Sequence, residues 1–288
     1  MNVHEAPRWI DVGDATLFGI ITRPDGAGNG VGVVVLHGGG EHNLPSHRNR
    51  WTVDLARDLA REGFTVLRVA YRGVGESSGE GQTFNLSNPF VGDGGAVIEA
   101  LASEPRIERI YAVGSCFGAR TALSLVPEYG VIAGVVLSAL PISDPEKRQA
   151  VDKSVADFVK RGLGKKGLGG LFVAGRRDRY LRILKNKAAS LVRRGGAKGN
   201  PTPWVADSVV RGLRVLAGRG GRALLVYGSD DAFYAHFNEA QAGPLGILAG
   251  SPAIDVDGSI PGRLHGYPSV EVQQAFVARA SAWLRAAV

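Results

Sequence analysis

The sequence predicts an α/β protein built on a mostly parallel, doubly wound sheet with an inserted helical segment. Three observations lead there. Short runs rich in Val, Ile and Leu recur along the chain and alternate with stretches whose apolar residues fall at helical spacing. The runs are continuous rather than alternating, as strands buried on both faces require. The alternation then stops between about residues 143 and 221, where the charge changes sharply.

Taken in order, strands are expected at about 16–22, 31–37, 64–70, 109–114, 132–138, 222–228 and 253–257. The helix expected at 51–62 carries Leu55, Ala56, Leu59 and Ala60 on one face and stops at Gly63. Further helices are expected at 88–103, 117–126 and 269–286, the last grouping Val272, Phe276, Ala280 and Trp283. Residues 1–142 and 222–288 form the two parts of the core in this reading, and 143–221 the inserted cap. From Glu146 to Arg222 there are 20 Lys and Arg against 5 Asp and Glu, a net +15; the rest carries 14 against 22, a net −8. The formal +7 of the chain is therefore a local property of the insertion.

Composition bounds the function. At 288 residues and 44% hydrophobic, the chain can bury a large core. Its single cysteine cannot form an internal disulfide, and no basic start followed by an apolar run opens the sequence. A soluble, cytoplasmic protein without a membrane span is the expectation. No His, Cys and carboxylate group has metal-ligand spacing, so neither metal nor cofactor is expected.

The chemistry is concentrated in IYAVGSCFGARTAL, where a β-branched run meets glycine and a helical pattern follows. In the Gly-x-nucleophile-x-Gly turn, small residues flank the reactive side chain because a strained strand-to-helix turn leaves no room for larger ones. The frame here is Gly114, Ser115, Cys116, Phe117, Gly118, and only Cys116 is centred between the glycines.

Five separated segments resemble the α/β-hydrolase superfamily: LHGGG at the end of the second strand, YRGVGESSG, the elbow, LLVYGSDD and IPGRLHGYP. The cysteine variant is similar to dienelactone hydrolases, and GGGEHNLPSHR with LRVAYRGVGESSGE is similar to hydrolases associated with exosortase and other biosynthetic clusters. The resemblance implies an α/β-hydrolase fold and the order nucleophile, acid, histidine, that is Cys116, Asp231 and His265, with Asp230 as the alternate acid. It further implies an oxyanion hole from the backbone N–H groups of Phe117 and Gly39, with Gly38, Glu41 and His42 lining the substrate pocket. A histidine at the position of His37 is expected to be structural, and Arg72 to be salt-bridged.

A helix start and a neighbouring histidine would both favour the Cys116 thiolate. The function expected is hydrolysis of an ester, lactone or thioester through a thioester-linked acyl-enzyme. An acyltransferase using the same intermediate with an alcohol or amine, and a catalytically idle ligand-binding relative, are the alternatives. Tyr180 lies on an apolar face of the insertion surrounded by Arg179, Arg182 and Lys185, as a lid over the substrate would. The basic insertion suits an acidic carrier protein presenting an acyl group, or a small acyl substrate. Basic residues without interleaved aromatics argue against nucleic acid.

Overall fold

Strand follows helix along most of the chain in the computed structural model, which describes residues 2–39, 44–46, 50–144, 205–241 and 243–288. The elements are β1 (Val3–Asp11), β2 (Thr16–Pro24), β3 (Val31–Leu36), α1 (Trp51–Arg61), β4 (Thr65–Val69), α2 (Val91–Ala102), β5 (Arg109–Ser115), α3 (Phe117–Leu125), β6 (Ile132–Ser138), α4 (Asp207–Gly218), β7 (Arg222–Gly228), α5 (Ala232–Ala240), α6 (Pro244–Ala249), β8 (Ile254–Ile260) and α7 (Val270–Ala286).

The strands form one sheet in the order β1-β2-β4-β3-β5-β6-β7-β8. β1 and β2 make an antiparallel hairpin, β2 runs antiparallel to β4, and every later pair is parallel. All six residues of β3 are buried, as its unbroken VGVVVL run requires for a central strand. Its side chains divide with period two: Val34 and Leu36 join the core under α2, α3 and α4, and Val31, Val33 and Val35 join the core under α1 and α7. The sheet is thus covered on both faces, and the chain has the α/β-hydrolase fold.

β1 is the strand absent from the sequence expectations. Its residues VHEAPRWID include a proline and four charged or titratable side chains, and only Ile10 is buried. An edge strand facing solvent lacks the apolar run that identifies an internal one, and proline is tolerated there. β8 runs three residues past its expected end, since Gly258 and Ser259 stay in the strand up to the Gly228↔Ile260 pair.

The strand order positions the site. β4 lies on one side of β3 and β5 on the other, so the chain changes direction of winding beside β3. Loops leaving the carboxyl ends of strands on either side of such a point diverge and leave a crevice. Gly38 and Gly39 leave β3, Cys116 leaves β5, Asp231 follows β7 and His265 follows β8, all at that end. Helix α4 packs on α3 and contributes Val209, Leu213 and Leu216 to the core. The chain pairs Ser143 with Val205, so the two ends of the intervening segment leave and rejoin the core side by side.

Candidate active site

The elbow is dictated by backbone sterics. β5 ends at Ser115 and α3 begins at Phe117, leaving Cys116 alone at the turn with φ 48° and ψ −107°. A side chain at that combination is strained, and it persists only where its surroundings determine it. The Cys116 N–H donates to the Ser138 carbonyl (2.9 Å), and its own carbonyl accepts from the Arg120 N–H (3.2 Å). A Cβ on Gly114 would overlap the Gly118 carbonyl oxygen, and one on Gly118 would overlap the Leu36 carbonyl oxygen. The two glycines are what lets α3 dive against β3 and β5 and hold Cys116 up at the carboxyl edge.

The electrostatics of the thiol differ from the sequence expectation. Burial pushes its pKa up to about 11; the Phe117 N–H at the start of α3 opposes this, and the nearby Asp231 charge reinforces it. The helix start does favour the thiolate, as expected, but desolvation outweighs it. Cys116 rests as a neutral thiol near pH 7.

Asp231 stands at the start of α5, three residues after the end of β7, and is 4% exposed. One carboxylate oxygen accepts from the Gly228 N–H (2.7 Å) and the Leu264 N–H (3.1 Å), and the other from the His265 N–H (3.0 Å). Three amide donors bind its carboxylate and fasten the histidine loop to β7. Asp230, one residue earlier, is exposed and accepts from Ser229 Oγ (3.1 Å). Asp230 reaches the histidine loop through its backbone N–H, which donates to the Gly262 carbonyl (2.9 Å), whereas Asp231 is the one of the two whose carboxylate binds that loop.

His265 is exposed, and its ring stands edge-on to Phe233 with centroids 5.0 Å apart and planes at 81°. Among the described residues its imidazole makes no hydrogen bond to Asp231 or Cys116. The structure therefore brings the backbone of His265 to the acid and leaves the ring turned toward α5.

The β3 loop supplies the facing wall. Gly38 is buried and Gly39 partly so; a Cβ on Gly39 would press on the Phe84 side chain at 3.1 Å. His37 is buried, donates from Nδ1 to the Gly38 carbonyl (2.7 Å) and packs on Tyr71 at 4.5 Å, in keeping with a structural role. Phe117 packs among Phe90 (4.8 Å), Phe84 (5.0 Å) and Tyr71 (6.0 Å), an aromatic cluster beside the elbow. Arg72 is ion-paired with Asp93 and Asp14, both at 2.8 Å. Glu41, His42 and Tyr180 lie outside the described residues. Among those described, no group of three or more His, Cys, Asp or Glu could hold a metal, and no helix is long and apolar enough to cross a membrane.

Two features escaped the sequence reading. Arg120, one turn after Cys116, is 1% exposed and donates to Asp144 Oδ1 (2.8 Å), to the carbonyls of Leu86 (2.8 Å) and Pro141 (3.0 Å), and to Ser208 Oγ (3.3 Å). It ties the elbow helix to Asp144 and to Ser208 at the start of α4. An arginine amid Ala119, Ala122 and Leu123 was the available signal, since a charge on a buried helix must be paired. The second is Tyr267, whose hydroxyl donates to Ser138 Oγ (2.6 Å); nothing local in LHGYP signals that long-range contact.

Residues 30–187, more than half of the chain, match the family described as serine aminopeptidase, S33. The chain belongs to this family. It is an α/β-hydrolase whose family members are serine hydrolases, and it carries cysteine at the centre of its elbow. No curated protein matches it by sequence. Its fold is similar to that of an esterase from Pyrococcus furiosus, at 16% identity and TM-score 0.59 over 98% of this chain and 90% of that one. It is similar to a dienelactone hydrolase from Anabaena variabilis at 14% identity and TM-score 0.59, over 98% of this chain and 97% of that one. A proline iminopeptidase from Mycobacterium smegmatis aligns at 19% identity and TM-score 0.57, over 98% of each chain.

Proposed function

We propose that this hydrolase cleaves an ester, lactone or thioester through Cys116, His265 and Asp231. The observation that carries the reading is the strained turn that presents a lone cysteine between β5 and α3, beside a buried aspartate holding the histidine loop. A non-glycine residue at φ 48° is costly, and such strain collects where geometry serves function.

The neutral thiol sets the order of events. The His265 ring leaves Phe233 and turns toward Asp231 and Cys116, where it takes the thiol proton as sulfur attacks the acyl carbon. The backbone N–H groups of Phe117 and Gly39 receive the negative oxygen, which costs little reorganisation because both are fixed by packing. The tetrahedral adduct collapses, the carbon–leaving-group bond breaks, and the departing group takes the proton from the imidazolium. Water then gives a proton to His265 while its oxygen attacks the thioester; the carbon–sulfur bond breaks and sulfur regains the proton as thiol. Asp231 stabilises the imidazolium in both halves.

The reading of a catalytically idle ligand-binding relative draws on two observations, the raised pKa of the thiol and the His265 ring set against Phe233. Incubation with short p-nitrophenyl esters and acyl thioesters, with intact-mass analysis, separates the two. Turnover and a thioester adduct are expected, and both should fall at least about a thousandfold in C116A and H265A. No turnover, no adduct and no alkylation of Cys116 by iodoacetamide at neutral pH would sink the hydrolytic reading and leave the binding one.

A further inference from the structure

The histidine loop is fastened to the core at two places, and only one of them is the acid. On the near side, Asp231 takes the N–H groups of Leu264 and His265. On the far side stands Tyr267, two residues after the histidine, 1% exposed and with φ 48°. Its N–H donates to the Leu264 carbonyl (2.9 Å), and its carbonyl accepts from Gln273 Nε2 (3.0 Å), itself a buried side chain of α7. The ring lies parallel to Trp51 at 4.8 Å and edge-on to Phe276 at 5.5 Å.

The tip of this side chain reaches the elbow. The Tyr267 hydroxyl donates to Ser138 Oγ at 2.6 Å. Ser138 is the residue whose carbonyl accepts the Cys116 N–H, and it is paired across β5/β6 with Ser115. Ser138 therefore holds Cys116 through its backbone and the histidine loop through its side chain, with the neighbouring Ser115 side chain as a second partner of the phenol. Burial raises the phenol's pKa, so the hydroxyl remains a donor throughout the working range.

We propose that Tyr267 is a positioning residue whose hydroxyl bond to Ser138 sets the spacing between the His265 loop and the Cys116 elbow. Packing alone does not call for the hydroxyl, because phenylalanine would fill the same slot between Trp51 and Phe276. A buried hydroxyl without a partner is costly, so its placement opposite Ser138 is a specific contact. Left-handed backbone at a bulky residue is likewise retained only where contacts on several sides enforce it. His265 swings between its resting place on Phe233 and the thiol from an anchored backbone, and the Tyr267 clamp fixes where that swing ends. Proton transfer is sensitive to such spacing, since misplacement by about 1 Å far from the chemistry costs up to a hundredfold.

This inference rests on the triad reading above, and the test separates the two. Full-length wild type, Y267F, S138A, H265A and Y267F/H265A are compared by the rate of Cys116 alkylation with iodoacetamide at neutral pH. Turnover of a short p-nitrophenyl ester is measured alongside. Y267F is expected to lower kcat and the alkylation rate about tenfold, the change that about 1.4 kcal/mol produces, with KM held within about twofold. S138A should slow both in the same direction but by less, because the Tyr267 hydroxyl keeps Ser115 as a partner, and the melting temperature of Y267F should stay within about 4 °C of wild type. Adding Y267F to H265A should not slow alkylation further, because the tyrosine acts through the histidine. Wild-type rates in Y267F beside a disabled H265A would overturn the clamp and leave the triad standing. So would equal slowing by Y267F in the presence and absence of His265, which marks a general loosening of the elbow. Wild-type rates in H265A would remove the triad reading and the clamp together.

Discussion

The elbow and the histidine loop lie at the same end of the sheet and are held in different ways. At Cys116 the backbone does everything: two glycines let three chain segments interlock, and the strained φ follows from the contacts between them. At His265 the backbone is held by side chains from elsewhere, Asp231 on one flank and Tyr267 with Gln273 on the other, while the imidazole itself is exposed. Cys116 is therefore held by main chain on every side, and His265 is exposed at its ring and anchored at its backbone. A partly buried thiol with a raised pKa reacts slowly until a base takes its proton, so in the proposed mechanism the division of rigidity also divides the control of reactivity.

The sharpest way to break this comparison is to read the thiol without its base. In H265A, alkylation of Cys116 should climb about tenfold per pH unit from near neutral, because the reactive thiolate grows in proportion, and level off only near the folded pKa of about 11. Between pH 7 and pH 10 that is roughly a thousandfold change. Wild type should lie well above this line near pH 7, where His265 can take the proton. A plateau near the ordinary thiol value of 9.0 in H265A would mean that burial does not govern the site. The same shift has a stability consequence. Since the folded thiol keeps its proton to higher pH than an exposed one, its contribution is complete below about pH 9 and is lost as pH rises through about 11.

The next effect tests the elbow's backbone. Gly118→Ala should cost about 3 kcal/mol or more, because the new methyl must displace the main chain of β3 rather than a flexible side chain. Gly92→Ala is the control. Gly92 lies near the start of α2 with nothing within 4 Å of an added Cβ, so alanine there should stabilise by about 0.5–1 kcal/mol. Urea denaturation of the two variants gives the contrast directly; similar midpoints would mean that the interlocked segments yield more easily than the close approach implies.

How much of this was legible in the sequence follows the same division. The elbow could be read because sterics impose a local code: Gly114 and Gly118 at fixed offsets, an apolar run before and a helical pattern after. The central strands could be read because burial on both faces leaves continuous Val and Ile. β1 could not, since a half-exposed edge carries no such run. The choice between Asp230 and Asp231 stayed open because adjacent residues share a sequence context and differ only in which faces the loop 33 positions later. Tyr267 and Ser138 are 129 positions apart, and no spacing rule connects a serine at one strand end to a tyrosine in a distant loop. The raised thiol pKa was missed because the helix start is local and visible, whereas desolvation belongs to the whole fold.

The smallest expected effect concerns the resting place of the base. Phe233 is partly buried on α5 and meets the His265 ring edge-on, a contact worth about 0.5–1.5 kcal/mol when well packed and less at an exposed ring. If that contact holds the imidazole away from the thiol, Phe233→Ala removes part of the cost of engagement. Neutral-pH alkylation of Cys116 should then quicken by about two- to tenfold, with the folded stability changed by about 1 kcal/mol or less. Because the change acts on the ring's two positions and not on the thiol, the alkylation profile of F233A/H265A should overlay that of H265A alone. A slower Cys116 in F233A would reverse the assignment, making Phe233 a support for the engaged histidine. The histidine half of the site would then be held in its working position by packing, as the elbow is.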